Sequence, residues 1–171
     1  MSINSYLKKL GATAAFVGAL AGSYSAYAED FGQTATVSVL QAISVTEGTK
    51  LNFGVVQKPS TGSQTAIVGL SDDASGTINF ADNTVASGDY TITGDATNLI
   101  TIDATDLADV TGLTLTEFTA NYNTAAYTLG DPGAAAPDTG KALIVGATLN
   151  VASTVANGTL TPGFNLTVTY D

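Results

Sequence analysis

The sequence predicts an all-β fold, an antiparallel sandwich of short strands, on three observations. Apolar and polar residues alternate with period 2 in run after run, the signature of strands with one buried face. Turn residues separate most of these runs at short intervals, in pairs such as Ser87-Gly88, Asn157-Gly158 and Pro162-Gly163. No stretch holds a helical apolar period between capped ends, and Thr, Val, Gly and Ala dominate a chain that is only 12% charged.

Each element follows from its own pattern. Between residues 31 and 40, Phe31, Ala35, Val37 and Val39 occupy one face and Thr34, Thr36 and Ser38 the other. Ile43 and Val45 form a short strand, closed by a predicted Glu47-Gly48 turn; Leu51, Phe53 and Val55 follow. The apolar run at residues 67–70 comes after a turn at residues 60–62 and precedes another at Ser75-Gly76. Ile78-Asn79-Phe80, Tyr90-Thr91-Ile92 and residues 99–102 are further strand segments. Leu113 and Leu115 have one parity, whereas Phe118, Ala120 and Tyr122 have the other, which predicts a β-bulge or break near Glu117. Residues 130–140, with Pro132 and Pro137, form a loop. Leu143, Val145, Ala147, Leu149 and Val151 mark the longest strand. The last strand carries Phe164, Leu166, Val168 and Tyr170 on the face opposite Asn165, Thr167 and Thr169.

The first residues set the compartment. Lys8 and Lys9 precede an apolar run over residues 10–21, and small residues end in Ala26-Tyr27-Ala28. This is the layout of a secretory signal peptide cleaved after Ala28, in a run shorter than the roughly 20 apolar residues that span a bilayer. Residues 1–28 are therefore set apart as a leader, and no integral membrane segment is expected in the mature chain. The leader removes Lys8 and Lys9, leaving Lys50, Lys58 and Lys141 against fifteen Asp and Glu, a net charge of −12. A surface this acidic repels phosphate, so nucleic acid and anionic membranes are excluded as partners.

Composition also excludes most catalysis. The chain has no Cys and no His, so neither a Ser-His-Asp or Cys-His nucleophile nor an ordinary zinc set can be assembled. No enzyme activity, catalytic residue, metal or cofactor is expected. Asp103, Asp106 and Asp109, together with Asp72-Asp73 and Asp82-Asn83, lack the spacing and terminal Glu of a calcium loop and read as solvated loop acids. Asn157-Gly158-Thr159 and Asn165-Leu166-Thr167 match the N-glycosylation pattern, a very common one. Tyr90, Tyr122 and Tyr127 could build a sugar platform, but ordinary packing with the hydroxyl at the rim is the preferred reading.

Leu51-Asn52-Phe53-Gly54, about a dozen residues after a short Val-rich segment, resembles the opening of the spore coat protein U-like family of archaic chaperone–usher pilins and related secreted β-sandwich proteins. The run Gly146-Ala147-Thr148-Leu149-Asn150-Val151, then Pro162-Gly163-Phe164 and the alternation to Tyr170, is similar to that family's last two strands. The likeness covers residues 34–55 and 143–171. Gly158 and the penultimate Tyr170 fall where the wider pilin pattern has them. Family members often carry a Cys in the first strand, and residues 42–45 here have none.

The resemblance implies an incomplete immunoglobulin-like antiparallel β-sandwich, residues 42–171, completed by a donated N-terminal strand. The donor extension would be residues 29–41, with Phe31, Ala35, Val37 and Val39 entering a neighbour's groove. The acceptor and C-terminal strand would be marked by Gly158, Phe164, Leu166, Val168 and Tyr170. The implied function is a structural subunit of an extracellular pilus or fimbria serving adhesion or biofilm formation. Its partners would be identical subunits arranged head-to-tail, a periplasmic chaperone and an outer-membrane usher of a Gram-negative bacterium. The residues leave a second class open: a monomeric secreted or surface-associated binding protein whose first strand completes its own sheet.

Overall fold

The computed structural model describes residues 35–82 and 84–171; the leader, Phe31 and Asn83 lie outside the described residues. Residues 39–171 form one compact unit. It contains eleven strands and, among the described residues, no helix: β1 (Ser44–Thr49), β2 (Val55–Val56), β3 (Ser63–Val68), β4 (Ala74–Gly76), β5 (Phe80–Asp82), β6 (Gly88–Thr93), β7 (Ile100–Asp106), β8 (Leu113–Tyr122), β9 (Ala125–Tyr127), β10 (Lys141–Ala152) and β11 (Phe164–Tyr170). Every pairing is antiparallel.

β10 is the spine. Its first half pairs β6 and its second half pairs β3, while β8 runs along the other edge for nearly the full length. β1 extends the sheet beyond β6, β4 beyond β3, and β9 beyond β8, giving seven strands. β11 and β7 form a separate two-stranded sheet, and β2 pairs β5.

The alternation in the sequence decides which faces meet. Leu143, Val145, Ala147, Leu149 and Val151 point inward from β10 and are all buried. Around its first half, Tyr90, Ile92 and Tyr122 meet Ile100 and Ile102 of β7, and Phe164, Leu166, Val168 and Tyr170 of β11 pack on the same cluster. Around its second half, Ala66, Ile78, Leu113 and Leu115 form a second cluster, flanked by Leu51, Phe53, Val56 and Leu160. The two-stranded sheet thus lies face to face with the large one, consistent with a sandwich. Burying each of Ile92, Ile100, Ile102 and Leu143 stabilises the fold by about 1.5–3 kcal/mol.

The bulge falls where the parity switch places it. The β8–β10 register shifts between Gly146 and Thr148, and Glu117 takes a left-handed φ of 48°. The Glu117 carboxylate accepts a hydrogen bond from Thr148 Oγ1 at 3.1 Å. Gly146 is obligatory here: a Cβ would stand 2.5 Å from the Val68 carbonyl oxygen.

Three expected turns are strand instead. Glu47 and Gly48 lie within β1, at a register shift opposite Asp89, and Ser75-Gly76 belongs to β4. Gly88 opens β6. In each case sheet pairing with a neighbour overrides residues that favour turns locally. β3 also begins at Ser63, four residues ahead of the expected apolar run, because Ser63, Gln64 and Thr65 pair with Ala152, Val151 and Asn150.

Candidate functional site: an open strand edge over an apolar groove

β11 has two different edges. Leu107 N–H bonds the Gly163 carbonyl and Asp171 N–H bonds the Leu99 carbonyl, so the odd residues of β11 face β7 with their backbone groups. By the alternation of an antiparallel ladder, Phe164, Leu166, Val168 and Tyr170 turn their N–H and C=O groups the other way. No strand among the described residues pairs with that side. β7 differs, since its outer edge is closed by a loop. Ile100 exchanges hydrogen bonds with Ala134, the Ile102 carbonyl accepts from Gly130, and Ile102 N–H bonds the Tyr127 hydroxyl.

An open groove of about 1330 Å³ lies at the N-terminal half of β11, lined by Phe164 and Leu166. Its opposite wall includes Leu51, Phe53 and Val56, with Leu149 and Val151 at its base. Leu160 and the 156–163 loop form the rim. Asn52 shapes the wall: its side-chain amide donates to the Thr84 carbonyl, its side-chain oxygen accepts from Gly54 N–H, and its backbone pairs with Ala86. Gly54 has φ 65°, and a Cβ there would approach the Asp82 carbonyl to 3.0 Å, so the Leu-x-Phe-Gly motif needs its glycine.

The far end of β11 is fixed. The Tyr170 hydroxyl donates to the Gln41 carbonyl at 2.7 Å and accepts from Asp95 N–H at 2.6 Å. Asp95 in turn organises its own turn through Thr97 and Asn98. The Thr97 N–H and hydroxyl, then the Asn98 amide, hold the Asp95 carboxyl down to about 2.

Charge is uneven around the groove. Lys141 pairs with Asp138 at 3.0 Å. Lys50 and Lys58 line the groove, and Lys58 Nζ donates to the Val155 carbonyl at 2.6 Å. Asp103 and Asp106 sit on β7 rather than in a loop, Asp109 accepts from Gly163 N–H, and Asp72 accepts from both the N–H and hydroxyl of Ser87. Those two bonds hold the Asp72 carboxyl below its usual range, so it is a structural acceptor and not simply a solvated loop acid. Among the described residues no group of three His, Cys, Asp or Glu is placed to hold a metal ion.

The tyrosines pack. Tyr90 and Tyr122 are buried, and the Tyr122 hydroxyl donates to the Ala135 carbonyl at 2.9 Å. Burial pushes the Tyr122 phenol up to about 12, with nearby Asp138 adding to the shift. Tyr127 donates to the Asp131 carbonyl.

The structure brings Phe164 and Leu166 to the groove as well as to the first core cluster, whereas Val168 and Tyr170 pack on that cluster and do not line the groove. Gly158 is not strand; it lies in the rim loop with φ 125°. Ala35, Val37 and Val39 are exposed and in no strand among the described residues, and Val37 and Val39 are 81% and 83% exposed. Sequence reasoning missed Leu149, Val151 and Leu160 as parts of a site. The only signal for the opposite wall was Leu51-Asn52-Phe53-Gly54.

Among the described residues, fold and site together define an antiparallel β protein with an open β11 edge above an apolar groove. The chain belongs to the DUF4402 family, a domain of unknown function, whose model matches residues 43–170. No curated protein and no solved structure matches it.

Proposed function

We propose that this protein is a structural subunit of an extracellular fibre and that the β11 edge and its groove accept a strand from another copy. The observation that carries the reading is twofold: among the described residues no strand pairs with the outer backbone groups of Phe164, Leu166, Val168 and Tyr170, and an apolar groove lies beside Phe164 and Leu166. An edge of this kind is a template for strand addition. The occupant is the segment 31–39 of the next subunit, whose Phe31, Ala35, Val37 and Val39 present one apolar face. A slip by one residue would offer Thr and Ser instead, so the alternation specifies register. Head-to-tail donation does not close on itself and therefore builds a fibre. The sandwich is then the incomplete immunoglobulin-like type of the pilins it resembles. On the same reading the chain is exported by its leader, held by a periplasmic chaperone, passed to an outer-membrane usher, and displayed on the surface of a Gram-negative cell for adhesion or biofilm formation. It catalyses nothing and needs no cofactor.

The test is Val37→Asp combined with Val39→Asp. Both side chains would enter an apolar contact as unpaired charges, a cost of several kcal/mol. Surface fibres in electron micrographs and the ladder in unboiled gel samples should disappear while the subunit is still exported. Normal fibres from the double mutant would rule out residues 31–39 as the donor. A mutant that is unfolded alone, beside a stable monomeric wild type, would show that the segment completes its own domain, and the binding-protein reading would replace this one.

A further inference from the structure

We infer that Asn157-Gly158, on the rim of the groove, is a site of spontaneous backbone-driven deamidation. It is the only Asn-Gly pair in the chain. Both residues are exposed, and nothing lies within 4 Å of where a Cβ of Gly158 would stand. Among the described residues no backbone carbonyl accepts from the Gly158 N–H, and glycine gives the loop the freedom to swing that nitrogen onto its neighbour's side chain. The other described asparagines are each followed by a residue with a side chain. Asn52, Asn79, Asn98 and Asn150 donate their side-chain amides to Thr84, Gln57, Asp95 and Thr116. Asn121, Asn123 and Asn165 precede Tyr, Thr and Leu, whose side chains crowd the attacking nitrogen.

The chemistry needs only water. The Gly158 backbone nitrogen attacks Asn157 Cγ, forming an N–Cγ bond; the Cγ–Nδ2 bond breaks and ammonia leaves with the proton that the backbone nitrogen gives up. The resulting five-membered imide is opened by water at either carbonyl. One opening gives aspartate, and the other gives isoaspartate, in which the backbone runs through the former side chain. The ring closes readily because the reacting atoms belong to adjacent residues.

Either product puts a carboxylate on the rim, beside Leu160 and within a lining shared with Lys50 and Lys58. Isoaspartate also lengthens the 156–163 loop by one backbone carbon. The conversion stands whatever fills the groove. Its effect on filling rests on the strand-acceptor reading: aged subunits accept the donor strand less well, and a seated strand shields the loop from conversion.

The experiment incubates the purified full chain in mildly alkaline and mildly acidic buffer and follows each asparagine by peptide mass mapping. The Asn157 peptide should acquire the mass of a carboxylate first, faster in alkali, as a mixture of aspartate and isoaspartate. Asn157→Gln should abolish this. Conversion of Asn157 no faster than that of Asn121 or Asn165 would overturn the site. A synthetic peptide of residues 31–40 supplies the second readout. It should slow conversion of the wild type and bind Asn157→Asp about threefold more weakly, the scale of one exposed charge. Equal binding to both proteins would overturn the effect on filling. Binding to neither would overturn the strand-acceptor reading and leave the mass result to decide the modification by itself.

Discussion

Single side chains at the end of β11 carry more of the architecture than their exposure suggests. The Asp95 carboxylate accepts four hydrogen bonds, from the N–H and hydroxyl of Thr97 and from the N–H and side-chain amide of Asn98. Its folded-state value of about 2 lies below the unfolded value near 3.8. A depressed carboxylate contributes stability that is fully present above the unfolded value and is lost as pH falls through the folded one. Asp95→Asn should therefore melt below the wild type at neutral pH, and the gap should narrow from about pH 4 downward and close near pH 2. Thermal melts of the two proteins across that range test it; a gap independent of pH would show that the carboxylate's charge is irrelevant there. Nothing in the sequence around Asp95 foretells this role, because the turn acquires its importance from Tyr170, 75 positions away. The same distance hides the groove. Its walls come from Leu51, Phe53, Leu149, Leu160 and Phe164, which no local pattern joins.

Strands with one buried face were legible, and strands without one were not. β11 shows its alternation plainly because Phe164, Leu166, Val168 and Tyr170 cover a core while Asn165, Thr167 and Thr169 meet water. The β8 bulge was equally legible, since a single extra residue flips the parity of all that follow. β1 is exposed along its whole length, and the front of β3 is polar, so pairing alone defines them and the turn-like Glu47-Gly48 misleads. The weight of β7 is testable. Ile102 is fully buried between the two sheets, and Ile102→Ala leaves a cavity that should cost about 2–5 kcal/mol. Urea unfolding should show a lower midpoint with an unchanged slope. A loss under 1 kcal/mol would mean that the β7–β11 sheet packs only loosely on the spine.

At the scale of the molecule, charge and topology set the behaviour. Fifteen acids against five lysines make self-repulsion a standing cost of compactness. Monovalent salt at physiological strength screens charges beyond about 8 Å and should raise the melting temperature. Calcium chloride of matched ionic strength should raise it no further; an extra rise removed by Asp103→Asn would reveal a bound ion. Topology has a consequence in time. The Gln41 carbonyl and the Tyr170 hydroxyl, 129 positions apart, are joined by one hydrogen bond, and β11 seals the core against β7. So distant a closure is entropically slow and comes late in folding. Until β11 forms, the smaller sheet is half complete, and the cluster around Tyr90, Ile92, Ile100 and Ile102 lacks the side chains of Phe164, Leu166, Val168 and Tyr170. Formation of the native core therefore waits on β11, and the strand that joins residues so far apart acts as a delay.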